Sequence, residues 1–344
     1  MEVNQTHKFP YKWTLKDANF TKDKGKVFSC FACGGGSTMG YKLAGFDVIG
    51  CNEIDPKMMQ AYIANHKPKY SYLEPIQTFK LRNDLPDELY HLDILDGSPP
   101  CSSFSMAGNR EKDWGKEKKF REGQAKQVLN NLFFDFIDLA KKLQPKIVVA
   151  ENVKGLLLAG AQKYVAEILK QFNDAGYYVD YKLLDASKMG VPQRRERVFF
   201  YAIRKDLYKG EFTDLFGARP KLDLGAHESE IPFKVIMDDT DKESRLSPLY
   251  LKYWDRAQMG ETVGLFKTNK KLHLEKIAGT LSSGDRQYHP VYKRRLNDKE
   301  ICLEQTFPVD YDFASNDCNY LCGMSVPPVM TAQIATRIYE QWFI

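Results

Sequence analysis

What most constrains this chain is a rhythm. From residue 27 to residue 203, short apolar runs alternate with stretches of helical periodicity. Residues 27–32 read as a strand, followed by glycines and a helix over about 37–44. Residues 47–52 form a second strand, with a helix over about 56–65, and 92–95 a third strand. A long helix covers about 127–143, carrying Val128, Leu132, Ile137 and Leu139, and 147–150 make the next strand. A helix ending near Gly176 and two strands, 178–185 and 198–203, separated by a glycine-proline turn, complete the pattern. Strands alternating with helices predict an α/β fold: a doubly wound, mostly parallel sheet with its ligand site at the carboxyl edge.

The rhythm stops after about residue 205. Residues 206–320 have short apolar runs, frequent turn residues and no clear helical period, which predicts a smaller, irregular or β-rich domain. Met330, Ile334, Ile338 and Trp342 then repeat every fourth residue, the stripe of a helix packing back on the first domain. Residues 1–25 are polar and lysine-rich, an ordered extension or short helix. A chain of 344 residues suits two unequal domains. No apolar run approaches a membrane span, and the amino terminus lacks a secretory pattern. Seven cysteines without framework spacing suit a reducing compartment, so a cytoplasmic protein with no membrane partner is expected.

A formal charge of +5 decides little by itself. Basic residues cluster at Arg110, Lys112, Lys116, Lys118, Lys119, Arg121 and Lys126, broken by Gly115 and Gly123. A second cluster, Arg286, Lys293, Arg294 and Arg295, is interleaved with Tyr288, His289 and Tyr292. Each reads as a solvated surface or as a nucleic-acid contact, and both flank candidate chemistry.

That chemistry sits at strand ends. Pro99-Pro100-Cys101-Ser102-Ser103-Phe104-Ser105 places a thiol at a turn, where backbone amides can lower its pKa and expose it as a nucleophile, although a lone cysteine more often reads as inert packing. Glu151-Asn152-Val153 places a carboxylate after the neighbouring apolar run. The turn Phe31-Ala32-Cys33-Gly34-Gly35-Gly36 lets a ligand approach backbone amides at a helix start. In Asn52-Glu53-Ile54-Asp55 the acid after the second strand suits ribose hydroxyls, so the pair points to an adenosine-type cofactor. Gln193-Arg194-Arg195-Glu196-Arg197 adds fixed positive charge able to hold an anion or a polarised ring oxygen, and alone also reads as a salt-bridged surface. Cys30 with Cys33, and Cys318 with Cys322, lack the second pair a metal or redox motif needs, and read as buried structural cysteines.

Taken together, these residues resemble the cytosine-C5 DNA methyltransferases, in order and spacing, along most of the chain. The matching motifs are the glycine turn with Phe31, Glu53 at the ribose position, Pro100-Cys101, Glu151-Asn152-Val153 and the Q-x-R-x-R of Gln193, Arg195 and Arg197. Two late motifs follow: Arg295-Leu296 through Glu300 to Phe307-Pro308, and Gly323-Met324-Ser325-Val326-Pro327-Pro328. Three departures stand out. Cys33 replaces a glycine of the turn, Met324 replaces an asparagine, and the acid for adenine is not clearly placed, Glu74 beside Pro75 being the nearest candidate.

The resemblance implies the S-adenosylmethionine-dependent methyltransferase fold. It divides the chain into a catalytic and cofactor domain over 1–205, a target-recognition domain over 206–322, and a helix over 323–344 returning to the first. It implies that the Cys101 thiolate attacks carbon 6 of a flipped cytosine, Glu151 holds the exocyclic amine and nitrogen 3, Arg195 orients the ring oxygen and Arg197 braces the site. Carbon 5 takes the methyl group of S-adenosylmethionine, leaving S-adenosylhomocysteine, with no metal required. Phe31, Ala32, Gly34, Gly35, Gly36, Glu53, Ile54, Glu74, Pro100, Leu132 and Ser325 would line the cofactor pocket. Ser105 and Arg110, in a loop closing over DNA, and Arg286, Tyr288 and Lys293 would meet the duplex. A monomer is expected, with duplex DNA and a functionally paired restriction endonuclease as partners. Its alternatives are a tRNA cytosine methyltransferase, though the Cys-Phe-Thr tripeptide of that branch is lacking; a catalytically dead DNA-binding module, against which Cys101, Glu151, Arg195 and Arg197 stand intact; and a nicotinamide-dependent oxidoreductase, which leaves the Pro-Cys and Q-x-R-x-R motifs unexplained.

Overall fold

The computed structural model describes residues 7–100, 131–213, 219–225, 227–284 and 286–343, with the backbone of 117–118 and 127–128. The first half alternates as its sequence predicts. β1 (Lys26–Cys30), α1 (Gly36–Leu43), β2 (Asp47–Glu53), α2 (Pro56–His66), β3 (Tyr70–Leu73), α3 (Ile76–Phe79) and β4 (Ile94–Gly97) come first. A short antiparallel pair, β5 (Glu117–Lys118) and β6 (Gln127–Val128), precedes α4 (Leu132–Leu143). Then come β7 (Ile147–Val153), α5 (Gln162–Asp174), β8 (Tyr177–Asp185) and β9 (Glu196–Arg204). The main sheet has seven strands in the order β3-β2-β1-β4-β7-β9-β8. β1 to β4 and β7 run parallel, and β9 lies antiparallel between β7 and β8.

Central strands are apolar on both faces because both faces are covered. On one face Phe28, Leu95, Val148 and Phe200 pack with Phe136 of α4 and Ile168 of α5. On the other, Val27, Ile94, Val149 and Phe199 pack with Tyr41 of α1. The last helix, α9 (Pro328–Ile338), adds Met330, Ile334 and Ile338 to that second layer, as its stripe predicts. Gly40 of α1 permits this approach: a Cβ there would lie 2.4 Å from the Pro328 carbonyl oxygen.

Several boundaries differ from expectation. β3 escapes the sequence pattern because Tyr70-Ser71-Tyr72-Leu73 is a half-exposed edge strand with no apolar run. α4 begins at Leu132 rather than near 127, since 127–128 pair with 117–118 instead. Residues 7–25 contain no helix. They form a strap, in which Trp13 is buried, its Nε1 donates to the Thr306 carbonyl at 2.9 Å, and its own carbonyl accepts from Val309 N at 3.1 Å.

Among the described residues of 206–322 there is no strand. Isolated bridges such as Thr262 with Lys270 and Tyr288 with Arg295 replace ladders, so this region is irregular as expected but not β-rich. Its helices are α6 (Pro248–Arg256), α7 (Asp298–Gln305) and α8 (Cys318–Met324). Phe233, Leu272, Leu281, Ile301 and Leu321 share one core with Met39 of α1 and Met58 of α2. No helix of the described residues is long and apolar enough to cross a membrane.

Candidate active site

The glycine turn leaves β1 with Phe31, Cys33 and Gly35 all in the left-handed region, at φ of 52°, 48° and 77°. Glycine would occupy such a position without steric cost, so Cys33 stores about 1 kcal/mol of backbone strain that a glycine would not. The glycines also make room for the protein itself. A Cβ on Gly34 would lie 2.3 Å from Leu321, one on Gly35 2.2 Å from His66 Nε2, and one on Gly36 2.2 Å from the Val326 carbonyl. Gly35 caps α1 without any side-chain hydrogen bond, so the cap residue satisfies none of the first-turn amides, the groups a helix start can present to an anion.

Glu53, at the end of β2, faces this turn. Its carboxylate accepts from Cys33 N at 2.7 Å and from Ile54 N and Asp55 N at 2.8 Å. Burial pushes its pKa up against those three amides. A carboxylate offers about four acceptor positions, so one remains for a further donor such as a ribose hydroxyl. Glu74 is close by, its N–H donating to the Glu53 carbonyl at 3.1 Å. However, its carboxylate accepts from Thr78 at 2.8 Å and Arg82 at 2.9 Å and is turned into its own helix start. Leu132 is completely buried in the core under the sheet and offers no surface to a cofactor. Ser325 does reach the turn: its Oγ lies 3.7 Å from Cys33 Sγ and donates to the Leu321 carbonyl at 2.8 Å.

At the neighbouring strand ends, Glu151 lies beside Arg197, with Nε to Oε1 at 3.0 Å. Register produces this pair. Arg197 stands opposite Val153 in the β7–β9 ladder, and Glu151, two residues earlier, shares that face. Asn152 Nδ2 donates to the Pro99 carbonyl at 2.9 Å and fixes the chain just before Pro100, which is half-buried. Cys101, Ser105 and Arg110 lie outside the described residues, as do the side chains of the basic cluster after them.

Arg195 is placed differently from its expected role. The residue is 3 % exposed, and its guanidinium donates to three carbonyls: Leu281 at 2.9 Å, Gly323 at 3.1 Å and Ser325 at 3.0 Å. Burial, then the nearby Arg197, lowers its pKa to about 9. Gln193 is equally committed, donating to Gln305 at 2.6 Å and accepting from Leu281 N at 2.9 Å. Gln305, which the sequence did not single out, donates to the Ser325 carbonyl at 2.7 Å. Ser325 thus joins the glycine turn to Arg195, which feels the charges of Arg197 and Glu151 nearby.

Two further expectations change. Cys318 and Cys322 do have a partner, since Cys302 of α7 brings a third buried sulfur within 4.8 Å of both, across a gap in sequence that spacing cannot reveal. Tyr288 is fully buried and so not at a surface DNA can reach, whereas Arg286 and Lys293 remain partly exposed, Arg286 in two 3.1 Å bonds to Asp317 and Lys293 paired with Asp255 at 2.8 Å. Asp96, also missed, lies buried in β4, accepting from Ser29 at 2.8 Å and Tyr41 at 3.2 Å. Burial raises its pKa to about 7.

A family model of C-5 cytosine-specific DNA methylases matches residues 25–340. The Type II methyltransferase M.FnuDI of Fusobacterium nucleatum is 38% identical over 342 residues, covering 92% of this chain and 94% of its own. M.NgoPII of Neisseria gonorrhoeae, also a Type II methyltransferase, is 30% identical over 349 residues, covering 91% and 95%. The solved structure of Spodoptera frugiperda DNMT2 shares the fold, with a TM-score of 0.63 at 16% identity over 93% of this chain and 99% of that one. With the match running almost end to end, the chain belongs to the C-5 cytosine-specific DNA methylase family and is a DNA (cytosine-5-)-methyltransferase.

Proposed function

We propose that this enzyme moves a methyl group from S-adenosylmethionine to carbon 5 of a cytosine flipped out of duplex DNA, through a transient bond to Cys101. One observation carries the reading: Glu53 holds the glycine turn, Ser325 joins that turn to Arg195, and Arg195 lies within electrostatic reach of the Glu151–Arg197 pair. The uncapped start of α1 and the remaining acceptor position of Glu53 suit the amino-acid and ribose ends of such a cofactor. When bound, S-adenosylmethionine supplies an electrophilic methyl group. Gly34, Gly35, Gly36, Glu53, Ile54 and Ser325 would hold it, with Phe31, Ala32 and Pro100 at the margins. Glu74 and Leu132 have no place in that set as they stand.

The Cys101 thiolate forms a bond to carbon 6, which makes carbon 5 enamine-like and nucleophilic. Glu151 holds the exocyclic amine and ring nitrogen 3 and stabilises the charge that develops there. Its pairing with Glu151 supports giving the ring oxygen to Arg197, and the carbonyls that Arg195 holds support a positioning role for Arg195 around the turn and the carboxyl-terminal motif. After methylation solvent water takes the carbon-5 proton, the electrons of that C–H bond restore the double bond between carbons 5 and 6, and the Cys101 thiolate leaves carbon 6. Extruding the base costs a few kcal/mol, which the basic stretch after Ser105 and residues 206–322 would offset through phosphate and base contacts. On this reading 1–205 catalyse, 206–322 recognise the target and 323–344 close the first domain.

Duplex DNA is favoured over tRNA because relatives aligned along the whole chain are Type II methyltransferases. The test is a pool of randomised duplexes carrying 5-fluorocytosine, incubated with S-adenosylmethionine. Fluorine at carbon 5 blocks proton loss, so a denaturation-resistant protein–DNA adduct should accumulate with wild type and not with Cys101→Ala. An absent adduct with wild type overturns the covalent route.

A further inference from the structure

The centre of the glycine turn is held from outside. The Tyr311 hydroxyl, from the segment between α7 and α8, donates to the Gly34 carbonyl. Tyr311 is buried, with Phe307 and Phe313 ring centroids at 5.2 and 5.1 Å and that of His66 at 6.2 Å. Burial holds the His66 imidazole well below its usual pKa, so it packs against the turn as a neutral ring. The same segment is fastened to α2. Asn65 Nδ2 donates to the Asp312 carbonyl at 2.7 Å, Asp312 N donates to Asn65 Oδ1 at 2.9 Å, and Asn316 Nδ2 donates to the Lys57 carbonyl at 3.0 Å. Leu321 closes over Gly34.

A peptide unit is planar, so the Gly34 carbonyl and the Gly35 N–H move as one body. Tyr311 holds one end of that plane, and the Ala32 carbonyl holds the other, accepting from Gly35 N at 2.8 Å. With Phe31 and Cys33 both in left-handed conformations, the turn is strained and keeps its shape only under such constraint. We propose that Tyr311 is a positioning residue for the cofactor. By fixing the Gly34–Gly35 peptide it aims the first amides of α1 and keeps Cys33 N–H on Glu53. This inference rests on the cofactor reading of that turn.

Tyr311→Phe removes the hydroxyl and little else. Tyr177→Phe is the control: its hydroxyl is also buried and donates to a carbonyl, that of Pro145 at 2.8 Å, but at the amino end of β8, away from the turn. Calorimetry with S-adenosylhomocysteine should show about 3- to 10-fold weaker binding for Tyr311→Phe, the scale of one buried hydrogen bond. The KM for S-adenosylmethionine should rise alike, while kcat and the KM for DNA hold. Tyr177→Phe should bind as wild type does, although it loses thermal stability. Equal affinity in Tyr311→Phe and wild type, or equal losses in both variants, overturns the proposal while the cofactor reading stands. A wild type that binds no S-adenosylhomocysteine overturns both.

Discussion

In the sheet, Glu151 and Arg197 meet because β7 and β9 pair in register. Between 206 and 322, Arg294 and Glu300 meet without any ladder. Arg294 is 1 % exposed and holds both Glu300 oxygens at 2.6 and 3.0 Å, and Glu300 also accepts from Asp238 N and Asn297 N at 3.0 Å. One region places its groups by backbone, the other by a buried polar core. Side-chain substitutions in the first should therefore cost chemistry and spare the fold, whereas those in the second should cost the fold.

The largest expected effect separates the two regions outright. Glu151→Gln should lower kcat by about 10²- to 10⁴-fold, with urea denaturation little changed. A loss of stability as large as that of an Arg294 variant would break the contrast. Next, Arg294→Met leaves the Glu300 carboxylate buried without its guanidinium counter-charge, which should cost about 3–5 kcal/mol by urea denaturation. Adding Glu300→Leu should recover part of that loss, because the lone buried charge is removed.

Glu304 sharpens the comparison through pH. It is fully buried, and burial raises its carboxyl to about 8 from an ordinary 4.5. The folded state thus keeps a proton that the unfolded chain releases, and this contribution to stability is complete below about 4.5 and fades as pH rises to about 8. Glu304→Gln, which titrates no proton, should gain on wild type across that window. Parallel unfolding curves from pH 5 to pH 8.5 would contradict the assignment. The smallest effect belongs to Lys293→Ala. Its pair with Asp255 is half-exposed, so stability should change by about 0.5 kcal/mol or less. If Lys293 neutralises a DNA phosphate, the salt dependence of binding should flatten by about one unit of slope.

The sequence made the sheet legible because parallel strands and their covering helices write periodicity directly into residues 27–203. It made the glycine turn, Glu53, Glu151 and the Q-x-R-x-R stretch legible because these lie at strand ends and travel as short motifs. It could not show that Arg195 spends its donors on Leu281, Gly323 and Ser325, since those carbonyls lie far along the chain. Tyr311 and Gln305 were invisible for the same reason: a hydrogen bond to a distant backbone leaves no pattern. Basic and aromatic residues at 286–293 looked like a surface because composition does not distinguish an exposed tyrosine from Tyr288, buried at the centre of a small core with Trp254 and Val263.

The central claim is methyl transfer to cytosine carbon 5 by Cys101, and nucleoside mass spectrometry tests it most directly. Unmethylated genomic DNA is incubated with the enzyme and S-adenosylmethionine carrying a heavy methyl group, digested, and examined for labelled 5-methylcytosine. The account predicts labelled 5-methylcytosine with wild type and none with Cys101→Ala. No labelled base with wild type, or equal labelling by the variant, would contradict it.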